Sequence, residues 1–222
     1  MSTSATKSAP LVPPRMLFRF SAPCHRLAKN SDALAALKPK HRLPELGILE
    51  GTKPFADVRV AWSNDGLSVT LVVAGKSEKP WCRESRATDS DGLQLWIDTR
   101  DTHTIHRASR FCHHFVFLSA GAGRGFAQPV ATLLPIHRAR ENPKPVGREQ
   151  LQLQAQQRKN GYALAAHIPA AALTGFDPAE HPRLGFNYLV LDRELGEQTF
   201  SCPTHLPVAE DPSLWGSLEL LA

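Results

Sequence analysis

Hydrophobic positions in this chain recur with the period of two expected of strands, and no stretch keeps the 3.6-residue recurrence of a long helix. The pattern is sharpest between Ser90 and Leu118. Leu93, Leu95 and Ile97 point one way while Gln94, Trp96 and Asp98 point the other. After a charged, His-rich loop, His113, Phe115 and Phe117 oppose Cys112, His114, Val116 and Leu118. Bulky residues on both sides of this second strand predict that both of its faces are at least partly covered. Val58 to Trp62 and Leu67 to Ala74 flank the turn signal Asn64-Asp65-Gly66 and predict a hairpin. Leu151 to Arg158, where apolar residues alternate with glutamines, reads as a half-exposed strand returning through Asn160-Gly161 into Tyr162 to Ile168. Met16 to Phe20, Phe126 to Leu134, Arg183 to Leu191 and Ser217 to Leu221 bring the total to about ten strands. Two short helical segments are expected: Asp32 to Leu37 with Ser31 as N-cap and Pro39 closing it, and one turn from Pro169 to Leu173. Many short strands between Gly/Pro turns, without βαβ alternation, predict an all-β fold, an antiparallel jelly-roll-like β-sandwich.

Composition changes this picture mainly at the N-terminus. Residues 1–14 are rich in Ser, Thr, Ala and Pro and are expected to be a disordered tail, with a single domain over 15–222. Residues 1–56 hold nine Lys and Arg against three Asp and Glu, whereas the remainder holds 17 against 18. The body is therefore close to neutral, and the basic segment lacks the aromatic context of a nucleic-acid surface. No nucleic-acid partner is expected. No apolar run approaches the roughly 20 residues of a bilayer span, so no membrane role is expected, and the start of the chain lacks the apolar core of a secretory leader. A cytoplasmic location follows as the expectation. Cys24, Cys82, Cys112 and Cys202 stand at wide spacings without a CxxC pair and are read as reduced, buried thiols.

A set of short motifs in a fixed order adds a family likeness. W-N-D-G-L, P-W in a loop, S-D-G-L-Q-L-W-I-D, G-Y-A-L-A-A-H-I-P, L-G-F-N-Y-L-V-L-D and D-P-S-L-W-G-S-L-E-L together resemble the family-9 carbohydrate-binding modules and the wider DOMON-like sandwiches. The resemblance covers residues 55–222. It implies a ligand meeting one sheet face and the loops at one end, with two Trp rings enclosing a terminal sugar and polar side chains bonding its hydroxyls. The first of those rings falls at Trp81. The second falls at Ala209 and Glu210, the ligand carboxylate at Gln94, the ligand arginine at Val116 or His114, and the ligand amide at Leu189. Most of the usual sugar contacts are thus replaced. A haem-binding branch of the same fold class uses a Met and a His, but Met1 and Met16 are the only methionines and both lie in or near the tail. No cofactor is predicted.

The reading that follows is a non-catalytic ligand-binding module, with a saccharide or glycoconjugate as the leading partner through Trp81, Gln94, Trp96, His113 and His114. Trp62 and Trp215 fit core positions. An alternative is a metal-binding protein or metal-dependent enzyme using the segment from Asp98 to His114, with Asp101, His103 and His106 as candidate ligands, because imidazole, thiolate and carboxylate suit transition metals. That spacing matches no closed metal-site pattern, and there is no GxSxG, HExxH or P-loop. A protein-interaction domain using the sheet face is the third reading. What discriminates is whether the face bearing Gln94 and Trp96 is open or is capped by residues 75–91 and 135–147.

Overall fold

The computed structural model describes residues 12–28 and 32–222. Among them eleven strands form two packed sheets: β1 (Ser21–His25), β2 (Ala56–Ser63), β3 (Gly66–Ala74), β4 (Gly92–Asp98), β5 (Cys112–Ala122), β6 (Gln128–Leu134), β7 (Gln152–Arg158), β8 (Gly161–Pro169), β9 (Arg183–Asp192), β10 (Gly196–Thr199) and β11 (Gly216–Leu221). The larger sheet runs β1-β11-β9-β4-β5-β6, with β10 pairing the far half of β9, and the smaller runs β2-β3-β8-β7. All pairings are antiparallel except that of β1 with β11. The helical segments are short 3-10 turns, and no helix of the described residues is long and apolar enough to cross a membrane.

Alternation carries the core. Val58, Val60 and Trp62 of β2, Leu67, Val69, Leu71 and Val73 of β3, and Tyr162, Leu164, Ala166 and Ile168 of β8 face Leu93, Leu95, Ile97, Phe115, Phe117, Phe186, Tyr188 and Val190 of the larger sheet. Period-two burial puts these residues in one layer between the sheets, the ordinary interior of a sandwich. Both expected hairpins form, with Asn64-Asp65 and Lys159-Asn160 as their two-residue loops. In each the next residue must be glycine. A Cβ on Gly66 would lie 2.1 Å from the Ile168 carbonyl oxygen, and one on Gly161 would lie 2.0 Å from that of Val73.

Several local expectations change. Met16 to Phe20 is not a strand: Pro14–Leu17 forms a 3-10 turn and the strand begins at Ser21. Pro23 is accommodated because β1 is an edge strand, where a missing N–H costs nothing on the open side. Asp32 to Leu37 is a turn rather than a helix, since six residues cannot repay the cost of nucleation without a packed apolar face. Its proposed cap, Ser31, lies outside the described residues. So does the expected disordered tail apart from residues 12–14, of which Pro14 already belongs to the first 3-10 turn. Glu194 to Gln198 is a turn only in part, because Gly196–Thr199 pairs with β9.

The smaller sheet leaves its outer face open. Asp57, Val72, Ala163 and Gln156 lie in one register row, and Arg59, Thr70, Ala165 and Gln154 in the next. Small residues on the two central strands and longer polar ones on the edge strands shape a trough of about 680 Å³.

Replacing Gly161 by Ala forces a Cβ against the Val73 carbonyl as well as an unfavourable φ of +156°. The expected loss is about 2–4 kcal/mol in urea unfolding. Gly51→Ala, at a left-handed backbone of φ +76° with nothing within 4 Å of the added Cβ, is expected to lose only about 1 kcal/mol.

Candidate ligand-binding site

The outer face of the larger sheet bears the residues expected to bind. Gln94 pairs in register with Val116 on one side and Leu189 on the other, so three positions the family likeness assigns to ligand contacts form one row across β5, β4 and β9. Trp96 pairs with His114 and Asn187 in the adjacent row. All six side chains are buried. Residues 82–91 cover one half of the face, where Cys82 and Ala87 pack with Val116, Leu118 and Val130. The rest is covered by Ala108, Ile136, Cys202, Val208 and Trp215, which pack with Trp96, Cys112 and Leu189. The face is therefore filled by the chain itself.

Hydrogen bonds explain why polar residues are tolerated beneath this cover. The Gln94 amide nitrogen donates to the Thr88 carbonyl at 2.9 Å, which turns its oxygen toward His114 Nε2 at 3.0 Å. Nε2 of His114 is accordingly the protonated nitrogen, and the ring stacks on Trp96 with centroids 4.6 Å apart. Burial holds the His114 imidazole down at a pKa of about 4. His113 points the opposite way, into the sandwich interior. Its Nε2 accepts the Thr174 backbone N–H at 2.9 Å, and burial likewise lowers its pKa to about 4. His113 cannot share a site with Gln94, Trp96 and His114, because neighbours on a strand face opposite sides.

Trp81 lies elsewhere, half-buried at one end of the sandwich, and the sequence held little sign of what surrounds it. Arg193 lies over its indole, the guanidinium carbon 3.4 Å from the ring centroid, with Arg83 at 5.4 Å and Arg86 at 5.6 Å. Arg83 also stacks on Phe126 at 4.0 Å. Phe126 is exposed and held at φ +57°, a conformation uncommon for a bulky residue. The platform beneath is the buried Asp91, whose two carboxylate oxygens accept the backbone N–H groups of Trp81 and Arg193, each at 3.0 Å. One carboxylate thereby fixes both partners of the stack. Asp91 in turn lies 3.4 Å from Lys76 Nζ, which donates to Asp192 at 2.6 Å. Burial disfavours the Lys76 ammonium, yet Asp192 and Asp91 outweigh it and hold its pKa above the usual lysine value.

The candidate metal ligands do not converge. His103 Nε2 lies 2.8 Å from Asp101, whose other oxygen binds Arg183 at 2.9 Å. His106 is exposed and pairs with Asp211 at 3.1 Å. Among the described residues no group of three or more His, Cys, Asp or Glu side chains is arranged to hold a metal ion. Asp98 is buried and caps the backbone N–H groups of Arg100 and Thr102, at 3.0 and 2.7 Å. The four cysteines are buried and unpaired, and burial pushes the thiols of Cys24, Cys112 and Cys202 up to about 12.

No protein-family model matches the chain, and no curated protein sequence matches it. Solved structures do. A family-9 carbohydrate-binding module from Caldicellulosiruptor kristjanssonii in complex with cellotriose is similar at a TM-score of 0.59 and 11% identity, over 90% of this chain and 93% of the other. The glucose complex of a family-9 module from the same organism is similar at a TM-score of 0.58 and 11% identity, over 91% of this chain and 96% of the other. The chain has a family-9 carbohydrate-binding-module-like fold. The likeness is one of strand arrangement; of the second aromatic position, Ala209 and Glu210, the glutamate is partly exposed and pairs with His137 at 2.9 Å.

Two outcomes follow. Replacing Lys76 by Met leaves Asp91 and Asp192 buried without their cation and is expected to cost about 3–5 kcal/mol in denaturant unfolding. The buried imidazoles set an acid limb. In the unfolded chain they protonate near 6.5, in the folded one near 4, so the unfolded state binds more protons between those values. Stability is then fully present above pH 6.5, falls on the order of 3 kcal/mol per imidazole as pH drops to 4, and loses nothing further from these groups below that. Urea midpoints across pH 4–7, with the two rings followed by NMR, check this.

Proposed function

We propose that this protein is a non-catalytic saccharide-binding module that meets its ligand at the Trp81 corner rather than on the face of the larger sheet. The observation that carries this reading is the Trp81 platform itself. Of the five residues expected to bind, Trp81 is the one left partly at the surface, and it is held from beneath by a buried carboxylate that also places Arg193. Rigid support of this kind is what a binding aromatic needs, since a ring already immobilised loses little entropy when a ligand docks. The family-9-like fold supports the ligand class, and the loop position of Trp81 is the one the motif order assigns to a sugar-stacking ring.

Calorimetry against an oligosaccharide panel tests the proposal. Trp81→Ala is expected to weaken binding at least about tenfold, the loss typical of a stacking anchor, with an unchanged melting temperature. His103→Ala, within the metal candidates, is expected to leave binding intact. Equal affinity of Trp81→Ala and the parent protein, or no saccharide binding above background, defeats the reading.

A further inference from the structure

The surroundings of Trp81 bear on which saccharide is bound. A neutral sugar stacks its C–H face on a bare indole. Here Arg193 lies over one face of the ring at 3.4 Å, so a ligand approaching on that side meets a guanidinium together with the indole. Arg83 is set in place as well, 4.0 Å from the Phe126 ring centroid and 5.4 Å from that of Trp81, with one Nη donating to the Cys82 carbonyl at 2.8 Å. Phe126, Arg83, Trp81 and Arg193 thus form a short ladder in which each guanidinium lies near a ring.

Their charge is unspent. Among the described residues, neither Arg83 nor Arg193 has a carboxylate within 4 Å, whereas Arg86 pairs with Asp89 at 2.9 Å. Asp91 pairs with neither guanidinium; its oxygens accept backbone N–H groups and lie beside Lys76. Beside the ladder, through Pro80 and Gly125, opens a cleft of about 780 Å³. Lys79, Arg158 and Lys159 line it, and Glu78 is the single carboxylate in its lining. A guanidinium held beside an aromatic ring and free of a carboxylate keeps N–H groups available to grip a planar or tetrahedral oxyanion with two hydrogen bonds.

We propose that the ligand of this corner is an acidic saccharide, a uronate or sulfated sugar whose anionic group is taken by Arg193 and Arg83 while the rest of the chain extends along the Lys79–Arg158–Lys159 cleft. The proposal rests on the saccharide reading above and narrows it to a charge class. Phe126 then has a role for its exposed position at positive φ, as the ring against which Arg83 is held.

The test uses the full chain and matched oligosaccharides of four to six units: oligouronides, sulfated oligosaccharides and their neutral counterparts, with a short single-stranded oligonucleotide as a phosphate control. Acidic oligosaccharides are expected to bind at least about tenfold more tightly than neutral ones at low salt, with the advantage shrinking as ionic strength rises. Arg193→Gln, at an exposed position, is expected to remove that preference without changing the melting temperature, and Trp81→Ala to weaken binding of acidic and neutral saccharides alike at least about tenfold. Neutral oligosaccharides binding as tightly as acidic ones overturn the acidic inference and leave the saccharide reading standing. Absence of all saccharide binding, or an oligonucleotide binding more tightly than any saccharide, overturns both.

Discussion

The buried ammonium of Lys76, between Asp91 and Asp192, is the contact on which this end of the molecule depends. A lone charge at such depth would be prohibitive, and the carboxylates alone would repel each other; together they are tolerable because the cation lies between them and backbone N–H groups bond both oxygens of Asp91 and Oδ1 of Asp192. Asp192 accepts the backbone N–H groups of Glu194 and Leu195 and so shapes the turn into β10, while Asp91 ties down Trp81 and Arg193. Glu194, at the rim, accepts the N–H groups of Ser77 and Glu78. Three separate chain segments therefore take their positions from one cation. The exposed ladder of rings and guanidinium groups is rigid because its foundations lie in this network rather than in its own surface contacts.

The larger sheet solves a different problem. Both sides of β4 and β5 are buried, one against the second sheet and one beneath irregular segments. Covering a sheet face with loops instead of helices requires that every turn find its own hydrogen-bond partners. Ser90 illustrates the means: its hydroxyl accepts from the Arg83 N–H and lies 2.8 Å from the Arg86 carbonyl, folding residues 83–90 compactly over Val116. Beneath this cover the Trp96 indole N–H and the Asn187 side-chain nitrogen are among the buried polar atoms that have no hydrogen-bond partner within the described residues.

Much of the fold could be read from the residues because strands announce themselves by alternation and two-residue hairpins by Asn-Asp-Gly and Asn-Gly. The row Leu189, Gln94 and Val116 was legible too, since motif order put these residues at corresponding positions on three strands. The cover was not. Residues 82–91 and 200–215 have no repeating pattern, and their burial comes from distant partners rather than from local propensity. Arg193 was invisible for the same reason: it stands beside Trp81 only because Asp91 binds both backbones, a relation with no trace in spacing. The histidines misled in the reverse direction. Their density between Asp98 and His114 suggested shared chemistry, whereas strand geometry sends His113 inward and His114 outward, and His103 and His106 pair with separate carboxylates.

The parallel pairing of β1 with β11 has a bearing on biosynthesis. Residues 21–25 bond to residues 217–221, and the Trp62 indole donates to the Leu221 carbonyl at 2.8 Å. Residues 21–25 therefore have no partner strand until residues 217–221, about 190 positions later, have been made. Local hairpins such as β2–β3 can close as soon as their residues are made, but this sheet edge must wait for residues 217–221, so it is among the last parts of the sandwich to pair.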